Sequence, residues 1–133
     1  MSKPAGAPKP PADAAEPKLH VKIRLAGGVV GPGKIALLDH IRREGSISAA
    51  ARGMGMSFRR AWHLIDTLNQ AVGRPVVETS VGGSRGGGAR LTDFGNELVE
   101  RYQRTLQAVD ADAAALLEWI ADPADPAQQQ GED

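Results

Sequence analysis

Between Ser57 and His63 the chain reads Ser-Phe-Arg-Arg-Ala-Trp-His, which sets two guanidinium groups, an imidazole and two aromatic rings within two turns of a helix. Side chains of these types at the start of a helix suit hydrogen bonding to base edges and phosphates better than they suit bond making. Ser57, Phe58, Arg59, Arg60, Trp62 and His63 are therefore the candidate DNA-contacting residues, with Ser57, Arg59, Arg60 and His63 assigned to reading bases. No nucleophile paired with a base, no carboxylate pair and no metal-ligand cluster can be argued from the spacings along the chain. The three histidines, His20, His40 and His63, have no neighbours at metal-ligand intervals. The sequence thus points away from an enzyme, and no cofactor or metal is expected.

The elements that must position these side chains lie between Ser46 and Asn69. Ser46 is a good N-cap, and Ile47, Ala50, Ala51 and Met54 follow at helical spacing, giving a short helix with one small-residue face. Gly53 and Gly55 mark its end. Ser57 caps a second helix whose buried seam is Ala61, Ile65 and Leu68, while the side chains just after Ser57 crowd the end that a recognition helix pushes into a major groove. Small residues at Ala50, Ala51 and Ala61 suit two short helices that cross steeply. A pair of amphipathic helices joined by a glycine turn also occurs in proteins that never touch DNA, so this segment alone leaves both readings open.

Upstream, Lys34 to Glu44 reads as a helix with Ile35, Leu38 and Ile41 on one face and Gly45 as its stop. From Leu19 to Leu25 apolar and polar residues alternate strictly, so Leu19, Val21, Ile23 and Leu25 are expected on the buried face of a strand. The glycines between Gly27 and Gly33 leave room for a reversal around Val29 and Val30. Downstream, Pro75 turns the chain into the β-rich run Val76 to Thr79, the glycine-laden stretch from Gly82 to Gly88 forms a hairpin tip, and Ala89-Arg90-Leu91 returns. A hairpin with a basic glycine tip after a recognition helix makes a wing. Arg85 and Arg90, and Ser46 at the entry to the first short helix, join the candidate DNA-contacting set. A hairpin that is merely long is the alternative.

The formal net charge is zero, yet residues 18–107 carry fourteen Lys or Arg against seven Asp or Glu, and residues 108–133 carry seven acids and no base. A basic body followed by an acidic segment is the pattern of a polyanion-binding domain, although solvated faces also vary in charge. The 133 residues suffice for one domain. There is no cysteine, no apolar run of membrane-spanning length and no signal-peptide core at the start, so a protein of the cytoplasm without a membrane partner is expected.

At this point the motifs carry a family resemblance. The run from Ile35 to Tyr102 resembles the DNA-binding domain of the molybdate-responsive ModE-type transcription regulators. The resemblance rests on GSISAAARGMGMS, on Phe-Arg-Arg-Ala-Trp with Asp66 and Asn69 downstream, on V-E-T-x-x-G-G-x-x-G-G-G-A-x-L-T from Val77 to Thr92, and on Phe94-Gly95. The helix-turn-helix is also similar to that of LysR-type regulators, in which the residues matching Ser57, Phe58, Arg59, Trp62 and His63 face DNA. The family's full-length members continue into molybdate-binding domains. This sequence instead offers one long helix and an acidic tail, so molybdate is not expected to bind this chain.

In that long helix, capped by Thr92, the residues Phe94, Leu98, Tyr102, Leu106, Val109, Ala113, Leu116 and Ile120 recur at intervals of three or four. Either all of this stripe packs on its own domain or part of it meets a second copy. The second is favoured and is also implied by the resemblance, with Leu98, Tyr102, Leu106, Val109, Leu116 and Ile120 at the interface, together with Leu117 and Trp119. The expected fold class is mainly α with a small β-sheet. The expected order is a disordered Pro/Ala-rich tail over residues 1–17, a winged helix-turn-helix over 18–91, a dimerisation helix over 92–121 and a disordered acidic tail over 122–133. The expected function is a homodimeric transcriptional regulator bound to a palindromic site in double-stranded DNA. A winged-helix module that binds protein rather than DNA is the alternative.

Overall fold

Local residue choices account for most of the elements in the computed structural model, which describes residues 17–80 and 88–122. Helix α1 runs Pro32–Glu44, with Pro32 in its first turn, where a missing N–H removes no intrahelical bond. The helix therefore starts two residues before the expected Lys34. It ends at Gly45, whose φ of 76° and N–H bond to the Ile41 carbonyl form a left-handed cap that a residue with a Cβ adopts only at a cost. Helix α2 spans Ile47–Gly53 and α3 spans Phe58–Val72. Each is capped as the sequence implies, by Ser46 Oγ accepting from the Ala49 N–H and by Ser57 Oγ accepting from the Arg60 N–H, both at 3.0 Å.

Strands β1 (Ile23–Leu25) and β2 (Gly28–Val30) form one antiparallel hairpin, and β3 (Val77–Ser80) and β4 (Gly88–Leu91) form another. The expected strand from Leu19 to Leu25 is corrected in two respects. Regular pairing is confined to its last three residues, because the chain reverses at Ala26-Gly27 and β2 offers only three partners. Its supposed buried face is also largely open, with Ile23 42% and Leu25 39% exposed. A two-stranded ribbon has no second sheet to cover it. Val30 on β2 is the hairpin residue that enters the core.

The core joins Leu37, Leu38 and Ile41 of α1, Ala50 and Ala51 of α2, Ile65 and Leu68 of α3, Val76 and Leu91 at the second hairpin, and Val99 and Tyr102 of the last helix. Each fully buried Leu or Ile contributes roughly 1.5–3 kcal/mol of transfer free energy. That last helix, α4, runs Asp93–Ala121, and Thr92 caps it by accepting the Gly95 N–H at 3.0 Å. Gly95 is required there, since a Cβ would run into the Val76 carbonyl oxygen. Residues 20–107 make one compact unit; Ala108 and the rest of α4 belong to another. No described helix is long and apolar enough to cross a membrane. The two terminal segments read as disordered lie outside the described residues, except for Pro17 and Asp122.

Candidate nucleic-acid interface

The recognition helix is oriented by its apolar seam. Ala61, Ile65, Leu68 and Ala71 are buried, which turns Arg59, His63 and Asp66 to the opposite, exposed face at about 100° per residue. Arg60 is also exposed, on one flank. Phe58 and Trp62, one turn apart on the other flank, meet edge to face with ring centroids 6.3 Å apart and planes at 74°. Trp62 is half-buried against the core, whereas Phe58 is 51% exposed. The structure thus brings Ser57, Phe58, Arg59, Arg60 and His63 together on one solvent-facing surface, with Trp62 beneath it.

The charges on this surface are available. Arg42 bonds Asp39 at 2.8 Å and lies 3.5 Å from Glu100, Arg43 lies 3.4 Å from Asp39, and Arg101 bonds Glu97 at 2.7 Å. Arg74 covers the Phe94 ring at 4.6 Å. By contrast, Arg52, Arg59 and Arg60 have no ion pair among the described residues. Lys22, Arg24 and Arg104 are unpaired in the same sense, but they do not lie on the helix-turn-helix. Arg52, in the last turn of α2 and exposed, is absent from the set assembled from sequence. A lone arginine among glycines has no periodicity to draw attention to it, and its value appears only when Arg42, Arg43, Arg74, Arg90 and Arg101 are found matched to carboxylates or an aromatic face.

The remaining candidates divide. Ser46 is half-buried and its oxygen accepts the cap bond, which leaves the hydroxyl hydrogen to donate outward. Ser57 has the same bonding in an exposed setting. Arg90 stands across from Glu78 in the strand register and lies 3.5 Å from it, so its charge is shared with a carboxylate although its side chain is 81% exposed. Arg85 and residues 82–87 of the expected tip lie outside the described residues, whereas Gly88, expected in the tip, is the first residue of β4 and pairs with Ser80.

Below the tip, the base of the hairpin is fastened by four hydrogen bonds. The Val76 N–H donates to Asn69 Oδ1 at 2.9 Å, and the Thr92 N–H donates to the Val76 carbonyl at 3.1 Å. The Thr92 hydroxyl donates to the Pro75 carbonyl at 2.9 Å, and the Ala89 N–H donates to the Gly45 carbonyl at 3.0 Å. These bonds set β3 and β4 relative to the recognition helix.

On α4 the stripe read as a dimer seam is partly used within its own compact unit. Tyr102 is buried at 6% exposure, and its hydroxyl donates to the Val21 carbonyl at 2.6 Å, so this residue is withdrawn from the seam. Burial raises the phenol pKa above its ordinary value. Leu98 and Leu106 are half-buried against the same core. The inward line is Gly95, Val99 and Tyr102: Tyr102 belongs to the expected stripe, whereas Gly95 and Val99 each follow an expected member, Phe94 and Leu98, that is only half-buried, because α4 approaches the hairpin base closely at Gly95. Further along α4, Val109 is half-buried, and Leu116, Trp119 and Ile120 are 54%, 46% and 51% exposed. No group of three or more His, Asp or Glu suited to a metal occurs among the described residues.

Residues 33–96 match the bacterial regulatory helix-turn-helix protein, lysR family. Over 97 residues the chain is 41% identical to the molybdenum-pterin-binding protein MopB of Rhodobacter capsulatus, covering 73% of this chain and 34% of that protein. It is 42% identical over 77 residues to the molybdenum transport protein ModE of Azotobacter vinelandii, covering 58% and 28%. It is also 42% identical over 76 residues to the DNA-binding transcriptional dual regulator ModE of Escherichia coli K12, covering 57% and 29%. The chain therefore spans about a third of the length of these relatives. Among solved structures, the DNA-binding domain of CbnR crystallised with DNA superposes with a TM-score of 0.50 at 19% identity, over 62% of this chain and 90% of that one, a likeness of fold.

Proposed function

The chain carries a winged helix-turn-helix domain of the ModE type, and from that premise we propose that it is a sequence-specific DNA-binding transcriptional regulator acting as a homodimer on a palindromic operator. The observation that supports this most directly is the set of unpaired, exposed arginines Arg52, Arg59 and Arg60 on the helix-turn-helix, in a unit whose other arginines are largely matched to carboxylates or aromatic faces. Guanidinium groups held without a partner are the groups a polyanion takes up. Ser57, Arg59, Arg60 and His63 read base edges, while Arg52, Arg85, Arg90 and the hydroxyl of Ser46 engage the backbone. The DNA-binding unit, expected over residues 18–91, takes in the first half of α4 as well, since residues 20–107 are one compact unit, and the exposed apolar residues further along α4 serve to meet a second copy. Two copies related by a two-fold axis require a two-fold site, with half-sites about 34–36 Å apart or a multiple of that. The cytoplasm is the compartment in which this activity is exercised.

Molybdate is not expected to bind these residues themselves. An oxyanion site needs hydroxyl and N–H donors held by a packed domain, and beyond the wing the described residues form a single helix.

Enrichment of fragments from genomic DNA, followed by titration over a salt series, tests the reading. A sequence should be enriched, and affinity should fall steeply with salt as phosphates are neutralised. Absence of any enrichment together with salt-insensitive association would favour a module that binds protein.

A further inference from the structure

Phe58 is the one large hydrophobic side chain left exposed anywhere on the helix-turn-helix, at 51%. It is the first residue of α3, directly after the Ser57 cap, and it is off the seam that Ala61, Ile65 and Leu68 bury. Half of this ring's surface does nothing for folding. The ring is nonetheless held in place: Trp62, itself half-buried against the core, meets it edge to face at 6.3 Å, one helical turn along. Its sequence neighbours are Arg59 and Arg60, exposed and without a carboxylate partner among the described residues. An apolar ring with a fixed place at the start of a helix whose next two residues are unpaired arginines fits a polyanion that also presents an apolar feature.

On the base edges of the major groove that feature is the C5-methyl group of thymine. We propose that Phe58, buttressed by Trp62, is a specificity-determining residue that recognises a pyrimidine C5-methyl group in the operator. The contact selects thymine over unmethylated cytosine at that position and accepts 5-methylcytosine there. The inference rests on the DNA-binding reading above and adds the chemical group that one side chain reads. Insertion of the ring between base pairs, the other use of an apolar side chain on DNA, would depend on stacking and be indifferent to the methyl group.

The test uses the full chain and a duplex enriched from a random-sequence pool, resynthesised with single thymidines replaced by deoxyuridine, which removes only the methyl group. At one thymidine per half-site, wild-type affinity should fall about fourfold, the value of burying one methyl group. Phe58→Ala should bind the parent duplex more weakly and show no further loss at that position, whereas Phe58→Leu should keep part of the discrimination. With cytosine placed there, 5-methylation should recover affinity for wild type and leave Phe58→Ala unchanged. Circular dichroism should show both variants folded, since the side chain is half exposed. Enrichment of a duplex whose affinity is the same with deoxyuridine at every position, or an equal methyl effect in wild type and Phe58→Ala, would overturn this inference and leave the DNA-binding reading standing. Failure to enrich any duplex would overturn both.

Discussion

Arg59 and Arg52 carry the same charge at different places, and the difference is measurable. Arg59 lies on the exposed face of α3 opposite the buried seam, the face proposed to read base edges, while Arg52 sits at the end of α2. Arg59→Ala should weaken the preferred site by about 1–3 kcal/mol and relax preference at one base position. Arg52→Ala should lower affinity on all sequences alike and flatten the log-log salt slope by about one unit. Titrations on specific and random duplexes over a salt series separate the two, and equal losses for Arg59→Ala on both would remove it from base reading. Asn69 acts through stability instead. Its Oδ1 satisfies the N–H of Val76, a residue with no exposed surface. Asn69→Ala should lower unfolding free energy by about 1–3 kcal/mol, because an orphaned donor is left behind, and Asn69→Asp, which keeps an acceptor, should cost less. Urea unfolding midpoints report both.

At the scale of elements, the junction between the segment before β1 and α4 depends on Tyr102. Its hydroxyl donates to the Val21 carbonyl, and burial holds its pKa above the usual phenol value. The neutral form is thus favoured in the fold. Below about pH 10 the phenol is protonated in both folded and unfolded chains and its contribution is fully present. As pH rises past that value, the unfolded chain releases the proton first, so stability should decline toward the raised folded pKa. Tyr102→Phe should remove this part of the alkaline decline and cost about 1 kcal/mol at neutral pH for the lost hydrogen bond. Unfolding free energies measured at about pH 8 and about pH 11 check it, and an identical decline in the variant would place its cause elsewhere.

For the whole molecule the proposed dimer is best tested where α4 is exposed. Leu106 is half-buried against its own core, so an acid there disturbs the monomer as well, whereas Leu116 is 54% exposed. Leu116→Asp should yield folded monomers in sedimentation, since charge on an apolar contact surface is costly to bury. A wild-type chain that sediments as a monomer at micromolar concentration would refute the dimer. Calorimetric titration of these 133 residues with molybdate, tungstate and sulfate should give no saturable heat. Stoichiometric molybdate binding coupled to a change in DNA affinity would overturn that expectation.

Much of this protein is written locally. Ser46, Ser57 and Thr92 each accept the N–H group three residues on, Gly45 terminates α1, and the seam Ala61, Ile65, Leu68 follows from a period of 3.6. The helix-turn-helix, the wing strands and the long helix are therefore legible from residue types and spacing, as is the cluster after Ser57. What depends on partners distant in sequence is not. The alternation from Leu19 to Leu25 specifies a strand but says nothing of how much sheet will cover it, and a three-residue partner leaves Ile23 and Leu25 open. The periodicity of α4 locates an apolar stripe without saying which members meet their own core, and the close approach at Gly95 turns Val99 and Tyr102 inward. Likewise, a sequence counts arginines, but only the tertiary structure decides which of them a carboxylate already holds. Arg42 and Arg90 are matched with Glu100 and Glu78, while Arg52, Arg59 and Arg60 have no carboxylate partner among the described residues, because ion pairing acts over a few ångströms of space and not along the chain.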